Sequence, residues 1–332
     1  MQATSIVSPE VFSEQHFERP GYRSFVQHFL RSLRSTGNLL SDESGFIWEE
    51  IQKAIRRLPI KYRQDIEIRI TELKKKPSKR KVVKCVDRKC GTASSQSSEL
   101  ILSKLFESLT PDIFLVAPNQ KSIEGSTSME EILDSEYDEL SRRFGSELPP
   151  IEGDSEKFDD LIRRAVRFSR TLVIYDKQIG RGNSLSLYRA GIIKVIDLWT
   201  ANSHFKPESV SIFTCGESWE VERRASYEVE KAIERNRDAF ERIKRELLAP
   251  LKDRYDDLNF SFEMKNDTPS DFHARYLETN TCVVLFERGF DICKKDEPEL
   301  LKRIELKLSD ATRSDLCRYR KLPSATGTDD CS

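Results

Sequence analysis

The sequence has no run of apolar residues approaching the ~20 that a helix needs to cross a bilayer, which argues against integral membrane association. Its seven cysteines, Cys85, Cys90, Cys215, Cys282, Cys293, Cys317 and Cys331, are odd in number and scattered, so they fit no secreted disulfide framework. Cys85 and Cys90 have neither a second pair at zinc-ligand spacing nor a nearby histidine, which excludes the usual zinc modules. Neither a GxGxxG pattern nor a GxxxxGK[ST] phosphate loop occurs, so no nucleotide-cofactor motif is present. The amino terminus lacks the basic start and apolar stretch of a secretory signal. These absences together predict a cytoplasmic protein with reduced cysteines, no metal and no cofactor.

What is there is charge. Of 332 residues, 33% are charged and 37% hydrophobic, with a net charge of only −1. The length exceeds one average domain, so two domains are expected, with helices that carry heavily charged outer faces. The near-zero total hides an uneven distribution. Lys74, Lys75, Lys76, Lys79, Arg80 and Lys81 form a basic run with Arg56, Arg57, Lys61 and Arg63 upstream, whereas Glu130, Glu131, Asp134, Glu136, Asp138 and Glu139 form an acidic one.

Residues 1–20 read as a flexible arm. Residues 21–118 read as an amino-terminal, mainly helical domain with a small βαβ-like unit and a basic surface. Phe25, Phe29, Leu30 and Leu33 recur at helical spacing, as do Ile47, Trp48, Ile51 and Ile55, with Asp42 or Ser44 as cap. A third helix carries Ile66, Ile70 and Leu73. A β-rich run at 81–86, a helix through Leu100 and Leu105, and a strand at 112–116 follow. Residues 119–158 read as an acidic linker.

The carboxy-terminal half predicts a β-α-β-α-β-β-β order. Strands are expected at 171–175, 209–214, 258–264 and 282–286, with helices through Ile192 and Trp199 and through Ile233 and Ile243. Such alternation predicts a mostly parallel sheet covered by helices, an α/β fold with functional groups at strand ends. Asp176 falls at such an end. The following loop carries Gly180 and Gly182, which read as a turn needing positive φ. A late strand brings His273 and Arg275, two residues apart and so on one side. An imidazole beside a guanidinium suits phosphate chemistry, because the arginine can hold two phosphoryl oxygens while the histidine attacks phosphorus or moves a proton. A solvated strand end paired with nearby carboxylates is the plainer alternative.

Taken together, the strand ending at Asp176, the helix after it, His273-x-Arg275, and Arg288, Gly289, Phe290 and Asp291 after the next strand resemble a single phospholipase-D-like module. The resemblance is to the type at the carboxy end of MIT-domain proteins and in prokaryotic relatives, and it covers about residues 160–310. It implies a phospholipase-D-like mixed sheet flanked by helices over 159–312, with a flexible tail at 313–332. Active members carry HxKxxxxD, bring two copies together in one site, and need no metal. Here His273 stands at the histidine, Arg275 replaces the lysine and Asn280 stands at the aspartate. Asparagine supplies no charge to a histidinium. No second HxK or HxR occurs, so a catalytic site implies a homodimer.

The resemblance thus implies a phosphodiesterase or nuclease with a phosphohistidine intermediate, using His273, Arg275, Asn280 and Asp176, with Arg275 and Arg288 binding phosphate. DNA or RNA is the expected partner; the basic run at 74–81 reads equally as a further contact to it or as a solvated helix end that complements the helix dipole or pairs with the acidic stretch at 130–139. Neither an amphipathic membrane helix nor a lipid-anchor motif accompanies that run, which disfavours a lipid surface. By resemblance, a prokaryotic antiviral defence system is the expected setting. The other reading is a non-catalytic scaffold subunit that docks partner proteins in a larger assembly. Glu263-Met264-Lys265 matches half of a metal-dependent nuclease motif and reads as a chance occurrence in a charge-rich chain.

Overall fold

In the computed structural model of this chain, strand β1 (Ala3–Val7) forms the centre of a five-stranded sheet. The structure describes residues 3–42, 44–74, 82–85, 98–109, 113–118, 126–128, 155–180, 185–218, 226–266, 275–287, 289–293, 306–308, 316 and 319–326. Two compact units divide the chain, Met1–Ser146 and Glu147–Ser332.

In the first unit, β1 is followed by a 3-10 turn (Pro9–Phe12), α1 (Glu14–Phe17), α2 (Tyr22–Thr36), β2 (Gly37–Asp42), α3 (Phe46–Arg57), α4 (Ile60–Lys74), β3 (Val82–Cys85), α5 (Ser98–Leu109), β4 (Ile113–Val116) and β5 (Thr127–Ser128). All pairings are parallel and the strand order is β3-β2-β1-β4-β5. That order, reversing direction of growth at β1, belongs to doubly wound α/β sheets.

The expectation of a flexible arm at 1–20, and of a mainly helical domain with only a small βαβ-like unit, is therefore corrected. Ile6, Val7, Val11 and Phe12 are buried core. The reason is visible in the strands: Thr4 and Ser5 on β1, and Asn38 and Ser41 on β2, are buried polar residues, so neither strand presents the apolar run that marks an interior strand. The helices follow their periodicity. Ile47, Trp48, Ile51 and Ile55 form the buried stripe of α3, and the Asp42 carboxylate caps it, accepting the Phe46 and Ile47 N–H groups at 3.0 and 2.8 Å.

The second unit contains α6 (Ser155–Val166), β6 (Thr171–Tyr175), α7 (Leu185–Asn202), β7 (Ser209–Cys215), α8 (Ser226–Ile243), a widened turn at Lys244–Leu248, α9 (Ala249–Arg254), β8 (Asn259–Lys265), β9 (Tyr276–Glu278), β10 (Val283–Phe286) and β11 (Leu306–Leu308). The sheet order is β11-β10-β9-β6-β7-β8. Strands β6, β7 and β8 run parallel, while β9 pairs antiparallel with both β6 and β10. Among the described residues this is a mixed α/β sheet.

One core lies under the helices. On α7 the residues Leu185, Tyr188, Ile192, Val195, Ile196 and Trp199 are buried at helical spacing, and burying each large apolar side chain contributes roughly 1.5–3 kcal/mol. The Trp199 indole N–H donates to the Ser169 carbonyl at 2.8 Å, which fixes the end of α7 to the start of β6. A second, smaller cluster joins Tyr175, Phe213, Cys215 and Val283 to Leu316 and Tyr319.

That second cluster corrects the flexible tail expected at 313–332 over its described residues, 316 and 319–326. Residues 319–326 pack along the end of edge strand β8: Ala325 N–H donates to Met264 O, and Asn266 N–H to Pro323 O, each at 2.9 Å. Arg320 forms an ion pair with Glu278, and its Nε donates to the Tyr175 hydroxyl at 2.6 Å. Leu316, Tyr319, Leu322 and Ala325 recur every three residues, so apolar packing holds this segment together with the backbone and polar contacts. Within the acidic linker expected at 119–158, the described residues include β5 and the start of α6, and the boundary between the units falls inside it.

Candidate functional site

Strand β6 ends at Tyr175 and delivers Asp176 to the carboxyl edge of the parallel strands. Its side chain is fully buried. The Asp176 N–H donates to Phe213 O at 3.0 Å, so the backbone is still held by β7 as the chain leaves the sheet. Oδ1 accepts the Gln178 N–H and Oδ2 accepts the Phe290 N–H, each at 2.9 Å. One carboxylate thus ties the turn at 176–180 to the loop after β10. Gly180 closes that turn at φ +86°, as a turn glycine should, and its carbonyl accepts from Arg242 at 2.7 Å.

Arg275 enters from the segment before β9, which runs antiparallel to β6 and so starts at the β6 carboxyl end. Its Nε lies 3.5 Å from Asp176 Oδ1, and its Nη1 donates to Glu287 O at 2.6 Å. The backbone agrees, since Phe286 N–H donates to Arg275 O at 2.8 Å. Gly289 makes this approach possible. It has φ +87°, and a Cβ there would overlap Asp176 Oδ2 and come within 2.8 Å of Arg275 Cδ. Among the described residues nothing takes the Nη2 hydrogens of Arg275, whose side chain is 21% exposed.

Burial pushes the Asp176 carboxyl up to about 6, against the two backbone N–H groups and Arg275, which favour its charged form; Asp291 adds to the rise. Tyr188, in the first turns of α7, is 5% exposed. Burial first, then the charges of Asp176 and Asp291, raises its phenol, while Arg275 lowers it.

The structure therefore brings together two of the sequence-predicted residues, Asp176 and Arg275. Asn280 is not with them. Its Oδ1 accepts the Arg170 and Thr171 N–H groups at 2.8 and 3.2 Å, and its own N–H donates to Ser169 Oγ at 3.1 Å. It thus caps the opposite end of β6, about 16 Å from Asp176 at the ordinary strand rise. The expectation of Asn280 as a site residue is corrected accordingly: its amide is committed to the β6 backbone.

His273, Arg288, Lys75, Lys76, Lys79, Arg80 and Lys81 lie outside the described residues, and Lys74 is the last residue of α4. Glu263 and Lys265 pair with each other at 2.6 Å. No group of three or more His, Cys, Asp or Glu among the described residues could hold a metal ion.

No protein-family model matches this sequence, and no curated protein is significantly similar to it. The site must be read from its own chemistry. Sequence reasoning missed Tyr188, Asp291 and Gly191 as parts of it. Gly191 carried a usable signal, a glycine inside a strongly helical stretch, which marks close approach by another element. A Cβ there would overlap the Phe290 carbonyl oxygen. Among the described residues no helix is long and apolar enough to cross a membrane.

Proposed function

We propose that the carboxy-terminal unit is a phospholipase-D-like module that recognises a phosphodiester, with nucleic acid as the substrate class and Arg275 as the phosphate anchor. The observation that carries this reading is the state of Arg275: held by the Nη1 bond to Glu287 O and by the ion pair with Asp176, yet with Nη2 uncommitted at the carboxyl edge of a parallel strand. A planar guanidinium held on one edge and open on the other suits directional hydrogen bonding to phosphoryl oxygens. The site also lies where α/β sheets bind ligands, beyond the carboxyl ends of the strands.

In the enzymatic form of this reading, His273 acts as nucleophile or acid, in a homodimer that pairs two copies of it, and no metal takes part. The setting would be a cytoplasmic defence system, with the basic run from Lys74 to Lys81, and Arg288, adding phosphate contacts. The second reading is a recognition or scaffold subunit without catalysis. It is favoured by Asn280, whose side chain serves the β6 backbone and offers no charged partner to a histidinium.

The test uses labelled single- and double-stranded DNA and RNA in excess chelator, with wild type, His273→Ala and Arg275→Ala. The expected result is salt-sensitive binding that Arg275→Ala weakens at least tenfold. Chelator-resistant cleavage lost in His273→Ala selects the enzyme, and binding without cleavage selects the recognition subunit. Equal binding by wild type and Arg275→Ala would remove the proposal.

A further inference from the structure

We propose that the Tyr188 hydroxyl is a second donor to the anion that Arg275 holds, so that a phenol and a guanidinium together position the phosphoryl oxygens. The inference deepens, and rests on, the reading of Arg275 as a phosphate anchor.

Helix α7 sets the geometry. Tyr188 and Gly191 are three residues apart and share a face of that helix. At Gly191 the helix backbone runs against Phe290, so closely that a Cβ would meet the Phe290 carbonyl oxygen. Phe290 is also the residue whose N–H Asp176 holds at 2.9 Å. The face of α7 that carries Tyr188 is therefore pressed onto the same loop that frames Asp176 and Arg275. Burial first, and then the charges of Asp176 and Asp291, raises the Tyr188 phenol while Arg275 lowers it, in keeping with that placement.

The second observation is what this hydroxyl lacks. Tyr188 is 5% exposed, and among the described residues its hydroxyl has no hydrogen-bond partner. Buried tyrosines ordinarily find one; this hydroxyl oxygen instead keeps accessible surface at the margin of the fold, open to a ligand. The other buried tyrosines of this unit obey the rule: the Tyr175 hydroxyl donates to Glu278 at 2.9 Å, and the Tyr319 hydroxyl meets Cys215 Sγ at 2.7 Å. Tyr188 departs from it at the edge of the candidate site, on the helix face that packs against the Phe290 loop. An anionic phosphoryl oxygen would satisfy both donors at once, and hydrogen bonds to a charged acceptor are the stronger kind.

The experiment measures binding of a fluorescent single-stranded oligodeoxynucleotide to the full chain by anisotropy, with thermal unfolding recorded alongside. Wild type, Tyr188→Phe and Arg275→Ala are compared. Loss of one hydrogen bond to a charged group corresponds to about ten- to hundredfold weaker binding. Tyr188→Phe is expected to show that loss with an unchanged melting temperature. If Tyr188→Phe binds like wild type while Arg275→Ala does not, the inference falls and the reading of Arg275 stands. Weaker binding together with a lowered melting temperature assigns the hydroxyl to the fold and also overturns the proposal. If wild type does not bind, or Arg275→Ala binds equally well, the reading of Arg275 fails and the inference fails with it.

Discussion

Replacing Asp176 with asparagine should change how the stability of the second unit depends on pH. In the folded protein burial lifts this carboxyl from 3.8 to about 6. A carboxyl whose folded pKa exceeds its unfolded one contributes stability that is fully present below pH 3.8 and is lost as pH rises through 6. The complete loss corresponds to about 3 kcal/mol. Asparagine keeps the shape and does not titrate. Its single amide oxygen can accept only one of the Gln178 and Phe290 N–H groups, a penalty of about 1–3 kcal/mol that does not vary with pH. Stability of Asp176→Asn relative to wild type should therefore rise by about 2 kcal/mol between pH 4.5 and 7.5, whatever the offset. Urea unfolding at constant ionic strength reads this directly. A Trp48→Phe background leaves Trp199 and Trp219, both in the second unit, as fluorescence reporters. A gap that stays constant across the range would mean that Asp176 titrates like a solvated carboxylate. A gap moving the other way would mean that Arg275 and the two N–H bonds outweigh burial.

Two further substitutions probe the same architecture. Gly191→Ala lies inside α7, where alanine ordinarily gains about 1 kcal/mol over glycine; here the new Cβ meets the Phe290 carbonyl, so a loss of about 2 kcal/mol or more is expected by thermal unfolding, and a raised melting temperature would contradict the close approach. Asn280→Ala removes the acceptor for two backbone N–H groups at the far end of β6 and should cost about 1 kcal/mol, while oligonucleotide binding stays within twofold of wild type; a tenfold loss would restore Asn280 to the site.

The second unit was legible because its elements obey one period each. Leu172 and Ile174 mark a buried strand, Ile192, Val195, Ile196 and Trp199 a helix stripe, and the alternation between them the parallel strands β6, β7 and β8, whereas the antiparallel pairing of β9, β10 and β11 makes the sheet mixed rather than mostly parallel. The first unit was not, for a local reason. Its central strand contributes only Ile6 and Val7 to the apolar signal, preceded by Thr4 and Ser5 and followed by Ser8 and Pro9. Hydroxyl side chains placed in a strand interior erase the contrast that periodicity needs. The tail at 319–326 escaped for a different reason: its apolar residues Tyr319, Leu322 and Ala325 are few and set among polar ones, and Arg320 and Asn266 add polar and backbone contacts that spacing does not show.

The site shows the same division between what spacing can and cannot carry. Asp176 and Arg275 were legible because each follows from a strand end, and strands β6 and β9 pair side by side. Asn280 was misplaced because its role was carried over from a motif position, whereas its location follows from register. Val173 pairs with Glu278, so residues beyond Glu278 run toward Thr171 and away from Asp176. A side chain there can reach the N–H groups of Arg170 and Thr171 and cannot reach Arg275. Tyr188 was hidden by the opposite circumstance. It sits on the apolar stripe of α7, where a tyrosine reads as core, and only the contact of Gly191 with Phe290 turns that stripe toward the carboxylate and the guanidinium. On the proposed reading, the residues that would orient a phosphoryl group are set by where the helix meets the loop, a property of packing that the order of residues along α7 does not encode.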